Sequence, residues 1–375
     1  MTEAVSGLLL LCAAVALALQ WASIGLVLLR DRRRVAPDPA VGLPFICLLR
    51  PVCGLDPFDA ETLATGFGQD YPDYELVFCA ASPRDPVIPL VQRLIAAHPE
   101  TRARLLVGDD PVSGNPKLNN LVKGWHATAA DWIVMTDSNV LLPKDYLRIL
   151  LRSWAPGTGL VSSPPTGIRG VGLWGALECA FLDTHQARWQ LAGDALGFGF
   201  AQGKTLFWHR PLLENAGGIA VLGRELAEDV ASTRIVRAAG LRVRLTPRPF
   251  AQPIGRRSLA AVWGRQLRWS RVRRQGFPGL FLLEAGLGPV LPLAALLAAG
   301  AAPVVLPAYL GLWYAAEYGL ARAMGWPRAA RDLLAWGLRD LMLPVLWLAT
   351  FAGRGFVWRG TAMEPGNPAT RASVE

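Results

Sequence analysis

Residues Trp132-Ile133-Val134-Met135-Thr136-Asp137-Ser138-Asn139 decide the fold. Five mostly apolar residues read as a buried strand, and the strand ends by presenting a carboxylate in an Asp-Ser-Asn turn. Upstream, residues 43–49 form a second apolar run closed by Arg50-Pro51, residues 74–80 a third that ends at Ser-Pro-Arg-Asp-Pro, and residues 103–107 a fourth. Helical stretches at 59–69 and about 87–97 fall between them. Strands alternating with helices predict an α/β fold, a mostly parallel sheet covered on both faces. Ligands of such sheets bind at the carboxyl ends of the strands, where Asp85 and Asp137 fall.

Outside this core the composition changes. The chain has 375 residues, 52% of them hydrophobic, with a mean hydropathy of +0.29. The apolar excess is concentrated at the two ends. Residues 8–29 carry no charge and suffice to cross a hydrocarbon core of about 30 Å. The preceding Met-Thr-Glu-Ala-Val lacks a positive start, so the run reads as a retained anchor. Arg30, Arg32, Arg33 and Arg34 then place the adjoining soluble region in the cytoplasm. Residues 285–316 are also uncharged, too long for one crossing, and predict two short helices broken near 300–303. The last apolar run, 333–353, contains Arg339 and Asp340. Its uncharged part is too short to span, which predicts an interfacial helix and three spans in all.

These features divide the chain into an anchor with a basic flank (1–34), a soluble catalytic domain (35–255), an amphipathic interfacial segment (256–278), and C-terminal membrane helices with a tail (279–375). The net charge is +9. Most of that excess lies in Arg clusters beside apolar runs, which suits an anionic membrane surface and argues against a nucleic-acid partner. Five cysteines without metal-like spacing read as small buried residues in a reducing compartment.

Candidate chemistry sits on few residues. Asp137 is placed to hold a divalent cation, Mg²⁺ or Mn²⁺, against a nucleotide diphosphate through hard oxygen ligands. Asn139 stands where a second acid would add charge; a plain turn or helix cap is the competing reading of the tripeptide. Lys117, in Asn115-Pro116-Lys117, either meets a phosphate near a helix start or is a solvated loop lysine. Asp229, in Glu228-Asp229, either caps a helix or acts as general base toward an attacking hydroxyl. The run 256–274 holds seven arginines and no acid, and within it Arg265, Arg268 and Trp269 share a helical face. That face lies on the membrane surface, aims Arg268 at a leaving diphosphate, or does both. His185 is a candidate for an acceptor site or a structural histidine.

The order Asp85 in Arg-Asp-Pro, Asp137 in Asp-Ser-Asn, Asp229 in Glu-Asp, then Arg265-x-x-Arg268-Trp269 resembles the D, D, D, (Q/R)xxRW series of the ceramide glucosyltransferase family. Asn115-Pro116-Lys117-Leu118-Asn119-Asn120 and Gly217-Gly218 also match, so the similarity covers about residues 43–276. The resemblance implies a GT-A fold and transfer of glucose from UDP-glucose to ceramide with inversion, at the cytoplasmic face of a bacterial inner membrane. It implies that Asp85 binds the uridine part of the donor, Asp137 the metal and diphosphate, and Asp229 the acceptor proton. It further implies that the Arg-Trp motif serves the diphosphate and acceptor side, with His185 near the lipid. Hopanoid glycosyltransferases, using UDP-N-acetylglucosamine, share the acidic series and are the nearest rival. A membrane receptor that binds a nucleotide without catalysis is the alternative of a different class.

Overall fold

The computed structural model describes residues 3–32, 42–353, 355–358 and 361–363. Arg33, Arg34, the expected linker at 37–39, Arg354 and Arg359 lie outside the described residues. The chain forms two compact units. Among the described residues, a sheet unit takes 42–166, 193–253, 355–358 and 361–363; a helical unit takes 3–32, 167–192 and 254–353.

The strands in chain order are β1 (Ile46–Val52), β2 (Tyr74–Ala80), β3 (Ala103–Val107), β4 (Trp132–Thr136), β5 (Thr158–Ser162), β6 (Pro165–Val171), β7 (Thr205–His209), β8 (Arg242–Leu245) and β9 (Phe250–Arg256). Seven of them form the central sheet of the sheet unit in the order β3-β2-β1-β4-β7-β5-β8. β3, β2, β1 and β4 run parallel, as their alternation with helices requires, while β7 is antiparallel to both β4 and β5. The expected strand at 43–49 begins later and runs on through Arg50 and Pro51.

Continuous apolar strands are explained by burial on both faces. Along β1 and β2, Ile46, Leu48, Leu76 and Phe78 enter one core with Tyr146 and Leu147. The alternate residues Cys47, Leu49, Val77 and Cys79 enter a second core with Leu121 and Trp125. Among the described residues no two cysteines form a disulfide; Cys47, Cys79 and Cys179 are buried, whereas Cys12 and Cys53 are exposed.

In the helical unit, Glu3–Asp31 packs against Val290–Ala298 and Val305–Met324, with Ala13, Leu296, Tyr309 and Trp313 at the contact. The expected break near 300–303 is present between those last two helices. The helix Ala330–Thr350 packs against Gly172–Ala180 and Leu259–Gly276. The expected interfacial helix rested on a short uncharged run, but the helix is continuous for 21 residues and its central charges are buried: Arg339 and Asp340 are 1% and 2% exposed. Arg339 pairs with Glu317 at 3.0 Å and Asp340 at 2.8 Å and donates to Thr184 Oγ1 at 2.5 Å. Tyr314 donates to Asp340, and Gln20 to Glu317. Internal pairing removes the reason to exclude a crossing. Glu3–Asp31 and Ala330–Thr350 are both long and apolar enough to span, and Pro278–Gly286 with Val290–Ala298 would make a third span bent by 56°.

Candidate active site

The site is built where β4 ends. Thr136 is buried and meets Tyr146 Oη at 2.6 Å, which fixes the last strand residue before the turn. Arg50, fully buried in β1, donates to the carbonyls of Asp137, Ser138 and Val140, each at 3.0 Å, and to Thr62 at 2.6 Å. One guanidinium therefore holds the whole Asp-Ser-Asn turn by its backbone. Burial pulls the Arg50 pKa down to about 10, which leaves it charged at neutral pH. Sequence reasoning passed over Arg50; a lone arginine inside an apolar strand was the only available signal.

Asp137 is held by two lysines. Lys117 Nζ lies 2.6 Å from Oδ1 and Lys204 Nζ 2.9 Å from Oδ2. Burial acts to raise the Asp137 pKa, but the two ammonium groups outweigh it and hold the carboxyl far below the usual carboxylate range. Lys117 comes from the first turn of the helix Pro116–Ala127, whose N-cap Asn115 accepts from the Lys117 and Leu118 N–H groups. Burial acts to lower the Lys117 pKa, yet Asp137 and Glu228 together hold it above the normal lysine range. The loop-lysine reading is thereby corrected: Lys117 spans Asp137, Glu228 at 2.7 Å and the Gly203 carbonyl at 2.5 Å. A Cβ on Gly203 would lie 2.8 Å from Glu228 Oε1 and 3.4 Å from Lys117 Nζ, so a larger residue would have to displace Glu228.

Lys204 arrives by register. β7 pairs antiparallel with β4, Thr136 opposite Thr205, and the Asp137 N–H donates to the Lys204 carbonyl at 3.2 Å. The Lys204 side chain reaches Asp137 and also donates to Asn139 Oδ1 at 2.9 Å.

Glu228 and Asp229 open the helix Glu228–Ala238. Glu228 accepts from Asn115 Nδ2 at 2.7 Å as well as from Lys117, so it is the structural member of the pair. Asp229 accepts from the Gly203 N–H at 3.2 Å and the Val230 N–H at 2.8 Å. Burial and then the neighbouring Glu228 push its carboxyl up to about 7. Such a carboxyl is held well above the usual carboxylate range by its surroundings. The structure thus brings Lys117, Asp137, Asn139 and Asp229 into one cluster.

Asp85 is used differently: its carboxylate accepts from the Gly54 N–H at 2.9 and 3.1 Å and from the Val87 N–H at 3.0 Å. It ties the loop after β1 to the loop after β2.

Arg265, Arg268, Trp269 and His185 belong to the helical unit. Arg265 pairs with Glu178 at 2.9 Å and lies over the Trp269 ring at 5.9 Å, so Arg265 and Trp269 of the expected face are brought together. Trp269, partly buried, packs on Cys179, Leu182 and Ile254. His185 sits in a π-helix, Phe181–Ala187, and lines a small cavity with Gln186, Gln266, Arg273 and Trp347. Burial, then Arg339, Arg188 and Arg273, push its pKa well below the usual histidine range, so the imidazole is neutral. Among the described residues no three His, Cys, Asp or Glu side chains converge on a possible metal position.

Comparison with known proteins fits this geometry. The profile of Glycosyl transferase family 21 matches residues 8–367. Ceramide glucosyltransferase 1 of Caenorhabditis elegans is 27% identical over 257 residues, which are 68% of this chain and 55% of that protein. Ceramide glucosyltransferase 3 of the same organism is 25% identical over 330 residues, 84% of this chain and 72% of that one. The match therefore spans about half of the first relative. A solved mannosyltransferase from Pyrobaculum calidifontis, in complex with GDP-Man and Mn²⁺, superposes with a TM-score of 0.58 at 19% identity, covering 94% of this chain and 99% of that one. That likeness shows a GT-A fold, and the family profile over nearly the whole length gives the assignment: this chain belongs to glycosyl transferase family 21.

Proposed function

We propose that this protein is a membrane-associated glycosyltransferase that transfers glucose from UDP-glucose to the hydroxyl of ceramide, inverting the anomeric carbon. The observation that carries the reading is Asp229, a carboxyl with a pKa of about 7, beside the Lys117–Asp137–Lys204 cluster at the carboxyl edge of the sheet. In one displacement the acceptor oxygen bonds to the anomeric carbon and the bond to the diphosphate breaks. The hydroxyl proton passes to Asp229, and UDP leaves with the electron pair. Lys117 and Lys204 supply positive charge where the diphosphate oxygens gain negative charge. On the motif resemblance, Asp85 is assigned to the uridine part of the donor, Arg265, Arg268 and Trp269 to transfer, and the neutral His185 to the lipid acceptor.

The donor set also fits a divalent ion. Asp137 Oδ2 and Asn139 Oδ1 already share one cation, the Lys204 ammonium, at 2.9 Å from each. Mg²⁺ or Mn²⁺ would be held by Asp137 and Asn139 with phosphate oxygens completing its shell, and would offset charge on the leaving diphosphate. Glu3–Asp31 and Ala330–Thr350 are assigned as membrane crossings, with the Arg-rich flank at residues 30–34 on the cytoplasmic side.

The test incubates purified protein with UDP-glucose, UDP-galactose and UDP-N-acetylglucosamine against ceramide and hopanoid acceptors, and reads lipid products by mass spectrometry. A hexosylceramide formed from UDP-glucose is expected. A hopanoid product from UDP-N-acetylglucosamine would replace the substrate assignment, and UDP binding without sugar consumption would replace the enzymatic one.

A further inference from the structure

Lys204 has no counterpart in the motif series, yet it occupies the most informative position in the site. The antiparallel register of β7 on β4 puts its backbone opposite Asp137, and its ammonium lies between Asp137 Oδ2 and Asn139 Oδ1. A position bounded by a carboxylate oxygen and an amide oxygen is one a hard divalent ion would take. The charges around it are largely offset before any ion enters. Asp137 faces Lys117 and Lys204, and Glu228 shares Lys117, so two acids meet two lysines. Because residue 139 is a neutral asparagine, a bare divalent ion entering beside Lys117 and Lys204 would bring more positive charge than Asp137, Glu228 and a partly ionised Asp229 offset. A nucleotide diphosphate brings the missing negative charge.

We propose that Lys204 is a tethered cation holding the metal position of Asp137 and Asn139 until a divalent ion arrives together with the donor diphosphate, so that metal binding depends on the nucleotide. The inference rests on reading this cluster as the donor site. Once the ion is seated, the long lysine side chain swings to a phosphate oxygen, which keeps its charge useful during transfer. Metal and nucleotide then strengthen each other's binding by the same factor, as any coupling between two ligands requires.

The experiment measures Mn²⁺ binding to the full-length protein in nanodiscs by electron paramagnetic resonance, with and without UDP, and needs no turnover. Wild type should bind Mn²⁺ weakly alone and about tenfold or more tighter with UDP. Lys204→Met should bind Mn²⁺ alone about tenfold tighter than wild type and gain little more from UDP. Lys204→Arg, which keeps the charge, should behave as wild type, and Asp137→Asn should lose binding in both conditions. Lys204→Gln repeats the methionine test with a polar side chain, and thermal unfolding of both variants confirms that they fold. Equal Mn²⁺ affinity of wild type, Lys204→Met and Lys204→Gln without UDP, with Asp137→Asn still defective, would overturn the role of Lys204 while leaving the donor site standing. Mn²⁺ binding untouched by Asp137→Asn would overturn both.

Discussion

Two buried ion networks invite comparison, one in each unit of the chain. In the helical unit, Arg339 is enclosed by Glu317, Asp340 and Thr184, and its carboxylate partners are satisfied further by Tyr314 and Gln20. In the sheet unit, Asp137, Lys117, Lys204 and Glu228 are linked as densely, but Asp137 remains 23% accessible along its side chain while Arg339 is 1% accessible. The first network is closed, and its partners have no alternative. The second lies at the carboxyl edge of a sheet, and its lysines can exchange a carboxylate for a phosphate. The difference separates a cluster that permits charges within an apolar helix from one poised to take a charged ligand.

Substitutions should break the two networks differently. Asp137→Ala should lower kcat/KM about a thousandfold, measured with UDP-glucose and ceramide, while the protein unfolds at nearly the wild-type temperature. Arg339→Met should do the reverse, costing about 3–5 kcal/mol of stability by stranding Glu317 and Asp340, as read by thermal unfolding in nanodiscs. A smaller effect sharpens the open network: Asp229 must be ionised to accept a proton, and its pKa is raised to about 7. Below that pH, kcat/KM should fall about tenfold per unit as the carboxyl protonates, and above it the rate should level off, which a pH–rate profile checks. The smallest expected change is Arg50→Lys, which retains the charge but loses donors to the Asp-Ser-Asn carbonyls. It should cost about 2 kcal/mol in denaturant unfolding.

Much of this organisation was legible in the sequence, for reasons that also mark its limits. β2 and β4 were readable because burial on both faces writes a nearly unbroken apolar run, whereas the half-buried edge strand β3 was readable only from Leu105, Leu106 and Val107. Asp137 and Asp229 were readable through their order relative to the Arg-Trp motif. Lys204 was not: it is one lysine between Gly203 and a short strand, and only the antiparallel pairing of β7 with β4 brings it opposite Asp137, 67 residues earlier in number. Arg50 was hidden because its hydrogen bonds go to backbone, which leaves no complementary side chain to notice. The full length of the helix Ala330–Thr350 was hidden for a related reason. Arg339 and Asp340 interrupt the local hydropathy, but their partners Glu317 and Thr184 lie in other segments.

The central claim is that Asp229 accepts the proton from the attacking hydroxyl. Its most direct measurement compares Asp229→Asn with wild type for glucosylceramide formation by mass spectrometry and for UDP binding by calorimetry, on the same nanodisc preparations. The account predicts product formation reduced by about 10²–10⁴-fold with UDP affinity within about threefold of wild type. Wild-type turnover by Asp229→Asn would contradict it.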